Sequence, residues 1–337
     1  MREPRPVVAI TLGDPSSIGP EVVVKALASG GLHDACVPVV VGDARVVMRA
    51  LGTTGVALGV APVARPGDAT GAPGVAEVVD VPAYGIDRIS WGSVQAPAGR
   101  AAFESIRVAI DLALAGEVDA VATGPVNKEA FRAAGVAQIG HTEIFGERTG
   151  TPDPLTMFET KGLRVFFLTR HLPLAEAIRR IDAGRTLEAL RGADAALRTL
   201  GVGAPRIAVA ALNPHGGEHG LFGDEEEREL APAVERAREA GIDAFGPLPA
   251  DSVFWHAARG RFDAVLSLFH DQGHVAAKMY DFERTVSITC GLPFLRTSVD
   301  HGTAFDLAGT GRASEVSMVE AVRAAARYAF AVRPRRA

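Results

Sequence analysis

Short runs rich in β-branched residues recur along the chain: VVAITL (7–12), VPVVVG (37–42), VAEVVDV (75–81), VDAVATG (118–124), LRVFFLT (163–169), RIAVAAL (206–212) and FDAVLSLF (262–269). Most are almost continuously apolar, not alternating, which is how a strand buried on both faces reads. Helical stretches lie between several of them. GPEVVVKALAS follows the first run. Residues 98–118 carry apolar positions at helical spacing and stop near Gly116. Residues 224–241 begin with acids and end at Gly241, as the helix dipole and a glycine C-cap favour. Alternation of this kind predicts an α/β protein with a mostly parallel sheet. The Gly/Pro-rich 52–74 reads as a surface connection or a weak hairpin.

Polar clusters fall just after several strands: GDPSSIGPE, TGPVNKE, TRHLP, NPHGGEHG and FHDQGH. Open α/β sheets bind ligands at the carboxyl ends of their strands, so this shared placement predicts a site there. Three of the clusters bring a histidine: His171, His215 and His270. From separate strands they converge on a divalent ion, or each is a hydrogen-bonded turn residue; the residues alone leave both open. Asp251 and Asp271 are candidate carboxylates beside them. His270 and His274 have the spacing of a zinc-binding helix. Against that, Asp271 stands where a metalloprotease needs Glu, and Gly273 predicts a turn. His274 then reads as a first-turn or solvated residue.

His141 and Thr142 precede a short helical pattern that Thr142 is placed to cap, and such a terminus attracts anions. Lys278 and Arg296 flank MYDFERTVSITCGLPFL, and Arg296, just past the apolar run, is the better oriented guanidinium. The Gly-rich 300–314 has no G-x-G-x-x-G after a strand, so it reads only as a loop that lets backbone approach a ligand.

Composition narrows the class without choosing a reaction. Hydrophobic residues are 47% and charged residues 22% of 337, as in a globular protein with room for two lobes. A net charge of −5 gives no general attraction to nucleic acid or anionic membrane. The basic VRPRRA end reads as a solvated tail. The N-terminus lacks an apolar stretch of secretory length, and no run approaches a membrane span. Two cysteines, Cys36 and Cys290, sit among apolar residues, which fits a cytoplasmic location.

Taken together, ITLGDPSSIGPEV, TGPVNKEAF, GHTEIFGERTG, RHLPL, LNPHGGEHGLFGDEE, FHDQGHVAAK and GLPFLRTSVDHGTAFDLAGTGRAS resemble, in order and over essentially the whole chain, the 4-hydroxythreonine-4-phosphate dehydrogenase family. HGTAFDLAGTGRA also resembles the NAD loop of isopropylmalate and isocitrate dehydrogenases. The resemblance implies a two-lobed α/β/α subunit of that type with a cleft between lobes. Residues 1–130 plus 300–337 would form the NAD-side lobe, and 131–299 the metal, substrate and dimer side. It implies a homodimer whose active site is shared between subunits. A divalent metal (Zn, Mg, Mn or Co) would be held by His171, His215 and His270, the third coming from the partner. Substrate contacts would fall on His141, Thr142, Lys278, Ser287 and Arg296. Catalytic roles would fall on Lys278, Asp251 and Asp271. NAD or NADP would contact Asp300, Gly302, Thr303, Asp306 and Gly309.

The reaction implied is oxidation of the secondary alcohol of a small 4-phosphorylated hydroxy acid, followed by β-decarboxylation. The substrate would be 4-phospho-hydroxythreonine, 4-phospho-threonate or 4-phospho-erythronate. Ser287 departs from the Asn usual in the family, and Asn127 from a common His, which shifts attention from the vitamin-pathway substrate. The alternatives are a cis-dihydrodiol carboxylate dehydrogenase of the same family and a phosphate acyltransferase of the same broad fold. A metal-dependent hydrolase using the same histidines is a further rival.

Overall fold

The computed structural model describes residues 5–29, 31–152 and 154–332; the basic stretch 333–337 lies outside them. The strands are β1 (Val7–Thr11), β2 (Val37–Gly42), β3 (Gly59–Pro62), β4 (Val75–Asp80), β5 (Ala120–Thr123), β6 (Leu155–Thr160), β7 (Leu163–Phe167), β8 (Arg206–Ala210), β9 (Asp243–Leu248), β10 (Ala264–Ser267), β11 (Val286–Cys290) and β12 (Leu295–Val299). The α-helices are α1 (Gly19–Ala28), α2 (Leu32–Ala35), α3 (Ala44–Thr54), α4 (Ala96–Leu114), α5 (Lys128–Ala133), α6 (His141–Thr149), α7 (Leu174–Arg179), α8 (Ala183–Thr199), α9 (Ala231–Glu239), α10 (Ala250–Ala258), α11 (His270–Tyr280) and α12 (Val316–Val332).

The chain forms two compact units, Met1–Pro154 with Val286–Ala337, and Leu155–Thr285. In the first, strands run in the order β3-β4-β2-β1-β5-β12-β11, all parallel except β11 against β12. In the second the order is β6-β7-β10-β8-β9, parallel except β6 against β7. The mostly parallel two-lobed α/β architecture expected from the sequence is therefore present. Residues 131–154 and 286–299 belong to the first unit.

Local chemistry explains most elements. β1, β2 and β5 are buried along almost their whole length, and their continuous Val/Ala/Ile content matches strands covered on both faces. Asp43, Asn127 and Asp182 cap α3, α5 and α8 by accepting from the N–H of Arg45, Ala130 and Arg185. α4 buries Ala102, Ile106, Ala109, Ile110 and Ala113 at helical spacing. They join Ala9, Val121, Phe131, Phe145 and Phe294 in the core of the first unit. Cys36 and Cys290 are free, and burial pushes both thiols up to about 12, so neither is a ready thiolate.

Three local expectations need correction. Residues 52–74 do not form a hairpin: they contain β3, which pairs parallel to β4. Gly273 is not a turn but an interior residue of α11. A Cβ there would come 2.6 Å from Phe167, 2.8 Å from Val165 and 2.9 Å from Ser267, so Gly is present for close helix–strand packing. The helix expected over 224–241 opens with a π-helical turn, Glu226–Leu230, before α9.

Candidate functional site

The first unit gathers loops at the carboxyl ends of β1, β5 and β12. β2 lies on one side of β1 and β5 on the other, so strand order reverses here, as at ligand crevices of open sheets. The loops are tied to one another: Asp14 N–H donates to Pro125 O at 2.8 Å, and Ile18 N–H to Thr303 O at 3.2 Å. Gly309 (φ 82°) abuts the Trp91 ring, where a Cβ would sit 2.6 Å away, and Arg49 stacks on that ring at 3.9 Å.

One sheet face turns polar toward these ends. Thr11, Thr123 and Ser298 are aligned in register, while Ser287 pairs Ser298 and Thr289 pairs Arg296. Register partners share a face, and this is the face on which Ala9 and Val121 reach the core below α4 and α6. Arg296 is only 5% exposed. Its guanidinium donates to Thr289 Oγ1 (3.0 Å) and Thr123 Oγ1 (2.9 Å), and it lies 5.3 Å over Phe145. Its Nε has no partner. Burial pushes the group down to about 9, with no carboxylate offsetting it. At neutral pH a charged guanidinium is thus buried without a counter-ion among the described residues, which suits an incoming anion.

His141 and Thr142 sit beside it on α6. Thr142 is not the cap: the helix begins at His141, and the N-cap is Gly140, which offers no side-chain acceptor. First-turn N–H groups therefore lack a side-chain cap, another anion-favouring feature. Burial first, then the Arg296 charge, hold the His141 imidazole well below its ordinary value, so it is neutral near pH 7. Its Nε2 is buried and without a partner.

The second unit holds the three histidines. His171 follows β7, and His270 is the first residue of α11; their rings lie 6.0 Å apart. Both line a cavity of about 430 Å³ with Arg170, Leu174, Phe269 and Asp271. Asp271 Oδ1 accepts from His270 Nδ1 at 2.6 Å, so in the neutral ring the proton sits on Nδ1 and Nε2 keeps its lone pair. His274 is buried, not solvated: it stacks on His270 at 3.7 Å and packs against Phe158 and Phe167. Burial pulls it down to about 4. His215 lines a second cavity, of about 230 Å³, with Glu218, His219, Glu226 and Pro247. Among the described residues of one chain, no group of three or more His, Cys, Asp or Glu is arranged to hold a metal. Lys278 lies in the last turn of α11, its Nζ 5.4 Å over Phe282, and Asp251 is exposed in the first turn of α10.

Sequence reasoning missed three buried carboxylates. Glu21 accepts from Gly309 N–H (2.6 Å) and Gly311 N–H (2.7 Å), tying α1 to the Gly-rich loop. Asp14 accepts from Ser16 through Oδ1, its Oδ2 has no partner, and burial raises its pKa. Glu226 holds the His215 loop. A first-turn acid two residues after a glycine (Glu21), an acid directly after a strand-end glycine (Asp14) and an acid after a Pro/Gly loop (Glu226) are too common to single these out beforehand.

A family model described as pyridoxal phosphate biosynthetic protein PdxA matches residues 34–325. A Symbiobacterium thermophilum protein with the provisional name D-threonate 4-phosphate dehydrogenase is 62% identical over 329 residues, 98% of each chain. The crystal structure of 4-hydroxythreonine-4-phosphate dehydrogenase from Klebsiella pneumoniae is 42% identical and superposes with a TM-score of 0.89, covering 96% of this chain and 99% of that one. A terephthalate 1,2-cis-dihydrodiol dehydrogenase from Burkholderia xenovorans is 31% identical, TM-score 0.65, covering 95% and 98%. This two-lobed α/β fold, with relatives of these names, identifies an oxidoreductase of the dehydrogenase class. Within that class the chain belongs to the PdxA family. No helix among the described residues is long and apolar enough to cross a membrane.

Proposed function

We propose that the protein catalyses metal-dependent, NAD-linked oxidation of 4-phospho-threonate, or its erythronate epimer, followed by β-decarboxylation. The observation that supports an anionic substrate is Arg296, buried on β12 among hydroxyls with no counter-ion among the described residues. The 62% relative's name favours threonate over the amino-bearing hydroxythreonine. Ser287 agrees, because a serine replaces the larger amide found in the vitamin-pathway pattern. The cis-dihydrodiol relative is more distant in both sequence and structure.

The donor set fits a divalent ion. Imidazoles with a carboxylate behind one of them are the ligands that Zn, Mn or Co accept. His171, His215 and His270 would hold it, drawn from both chains of a homodimer, a reading supported by the lack of any such three-donor group among the described residues of one chain. When bound, such an ion acidifies an alcohol and polarises a carbonyl. NAD would lie along Asp300, Gly302, Thr303, Asp306 and Gly309, the loop that Glu21 holds, and supplies the hydride acceptor.

The chain's own work is binding, orientation and proton movement. Arg296 and the uncapped start of α6 neutralise an anionic end of the substrate. His141, kept neutral, offers hydrogen bonding without adding charge. Oxidation at C3 sends a hydride to NAD+ and the hydroxyl proton to a base, for which Lys278 and Asp251 are the candidates. The resulting 3-oxo acid loses CO2 by breaking C1–C2. The electron pair left on C2 then takes a proton, giving a phosphorylated hydroxyketone.

Purified protein incubated with NAD+, a divalent metal and 4-phospho-D-threonate should produce NADH absorbance and CO2 in equal amounts. 4-Phospho-hydroxythreonine should be the poorer substrate. Absence of NADH across the phosphorylated acids, with NADP+ also tried, would remove this reading.

A further inference from the structure

The loop that presents His215 is held in an unfavourable shape. His215 lies at φ 54°, and Glu218 and His219 follow at φ 45° and 55°, a left-handed backbone that non-glycine residues seldom adopt. Such a backbone persists only where its surroundings over-determine it. One side chain restrains the segment that leads into it. Glu226 is 3% exposed and sits in the π-helical turn ahead of α9. Its Oε1 accepts from the backbone N–H of Leu212 and of Asn213, each at 2.7 Å. Its Oε2 accepts from Asn213 Nδ2 at 2.9 Å. Asn213 is held a second time, by Glu225 at 2.6 Å. Gly217 (φ 82°) closes the other side, where a Cβ would come 2.9 Å from Glu226 Oε2. The carboxylate thus holds the backbone just before His215 and, together with Gly223 O, leaves no room for a side chain at Gly217, two residues after it. π-helical turns are frequent at functional sites, and here the turn places this carboxylate.

We infer that Glu226 is the positioning residue for His215: it presets the loop so that the imidazole reaches the metal without first ordering its own backbone. This rests on the reading of His215 as a metal ligand. A purely structural Glu226 would alter thermal stability without a matching change in metal affinity.

The test is the Kd of Mn2+ for metal-stripped full-length protein, measured by titration calorimetry at a temperature where every variant is folded. It is run on wild type, Glu226→Ala, Glu226→Gln and His215→Ala. Glu226→Ala should weaken Mn2+ by about 10- to 100-fold, the range for groups that orient ligands. Glu226→Gln keeps the Oε1 acceptor for both backbone N–H groups, so it should recover most of the affinity. Hydrogen exchange at the Leu212 and Asn213 amides should quicken in the alanine variant and not in the glutamine variant. Should Glu226→Ala not fold, Glu226→Asp, whose carboxylate is withdrawn by one methylene, takes its place with the same expected loss. Wild-type affinity in the folded alanine or aspartate variant, with His215→Ala impaired, overturns the positioning role. Wild-type affinity in His215→Ala overturns the metal reading instead.

Discussion

At the scale of single residues, Arg296 sets the character of the first unit. A buried charge with two hydroxyl partners and no carboxylate is a cost to the ligand-free fold and an asset only when an anion arrives. Replacing it with methionine should therefore leave the ligand-free melting temperature equal or higher. The same change should raise KM for a phosphorylated acid by about 10- to 100-fold, as expected for losing hydrogen bonds to a charged group. Inorganic phosphate at about a hundred times its Kd should stabilise the wild type by about 2.7 kcal/mol and the variant not at all. Thermal unfolding with and without phosphate reads both effects; an equal phosphate shift in the two proteins would place the anion elsewhere.

Ser287 belongs to the same face, opposite Ser298. Ser287→Asn restores a paired donor and acceptor, so kcat/KM for 4-phospho-hydroxythreonine should rise relative to 4-phospho-threonate. A substrate ratio unchanged by the substitution would detach this position from specificity. Arg296 was legible in the sequence because it closes an apolar run. The hydroxyl row around it was not, since it exists only through the register of β1, β5, β12 and β11.

At the scale of elements, continuous apolar runs announced the buried strands, and periodic apolar positions announced α4. β6, β9, β11 and β12 escaped notice because polar or turn-forming residues interrupt them, as in LTMFET and DAFGPL. Gly273 is the instructive miss. A glycine after a strand usually marks a turn, yet here it lets α11 lie against β7 and β10, bringing His270 beside His171. Helical Gly→Ala changes ordinarily stabilise by about 0.5–1 kcal/mol. Gly52 in α3 has open space around it and should gain that amount. Gly273→Ala should instead destabilise by about 1–3 kcal/mol through overpacking and weaken metal affinity as His270 shifts. Denaturant unfolding of the two variants measures the contrast; a stabilised Gly273→Ala would show that the helix has slack.

At the scale of the whole molecule, the strand-end histidines stood out in the sequence, but which of them share a chain did not. His171 and His270 lie side by side in one chain, whereas His215 lines a separate cavity, and among the described residues of one chain no three such donors are grouped. A shared site in a homodimer follows from the proposed function, and complementation tests it. His215→Ala and His270→Ala chains, each inactive alone, should recover part of the activity when unfolded together and refolded as mixed dimers. Recovery requires only that these two ligands reach a metal from different subunits. The pair His171→Ala with His270→Ala then assigns the third ligand. Its recovery would mean that His270 serves the partner's site, despite its 6.0 Å approach to His171 within the chain. Failure would mean that His171 and His270 act together and that His215 is the ligand that crosses. No recovery from either pair, in dimers verified to be mixed, would leave each subunit with its own metal site and remove the reason for dimerisation that the histidines supply.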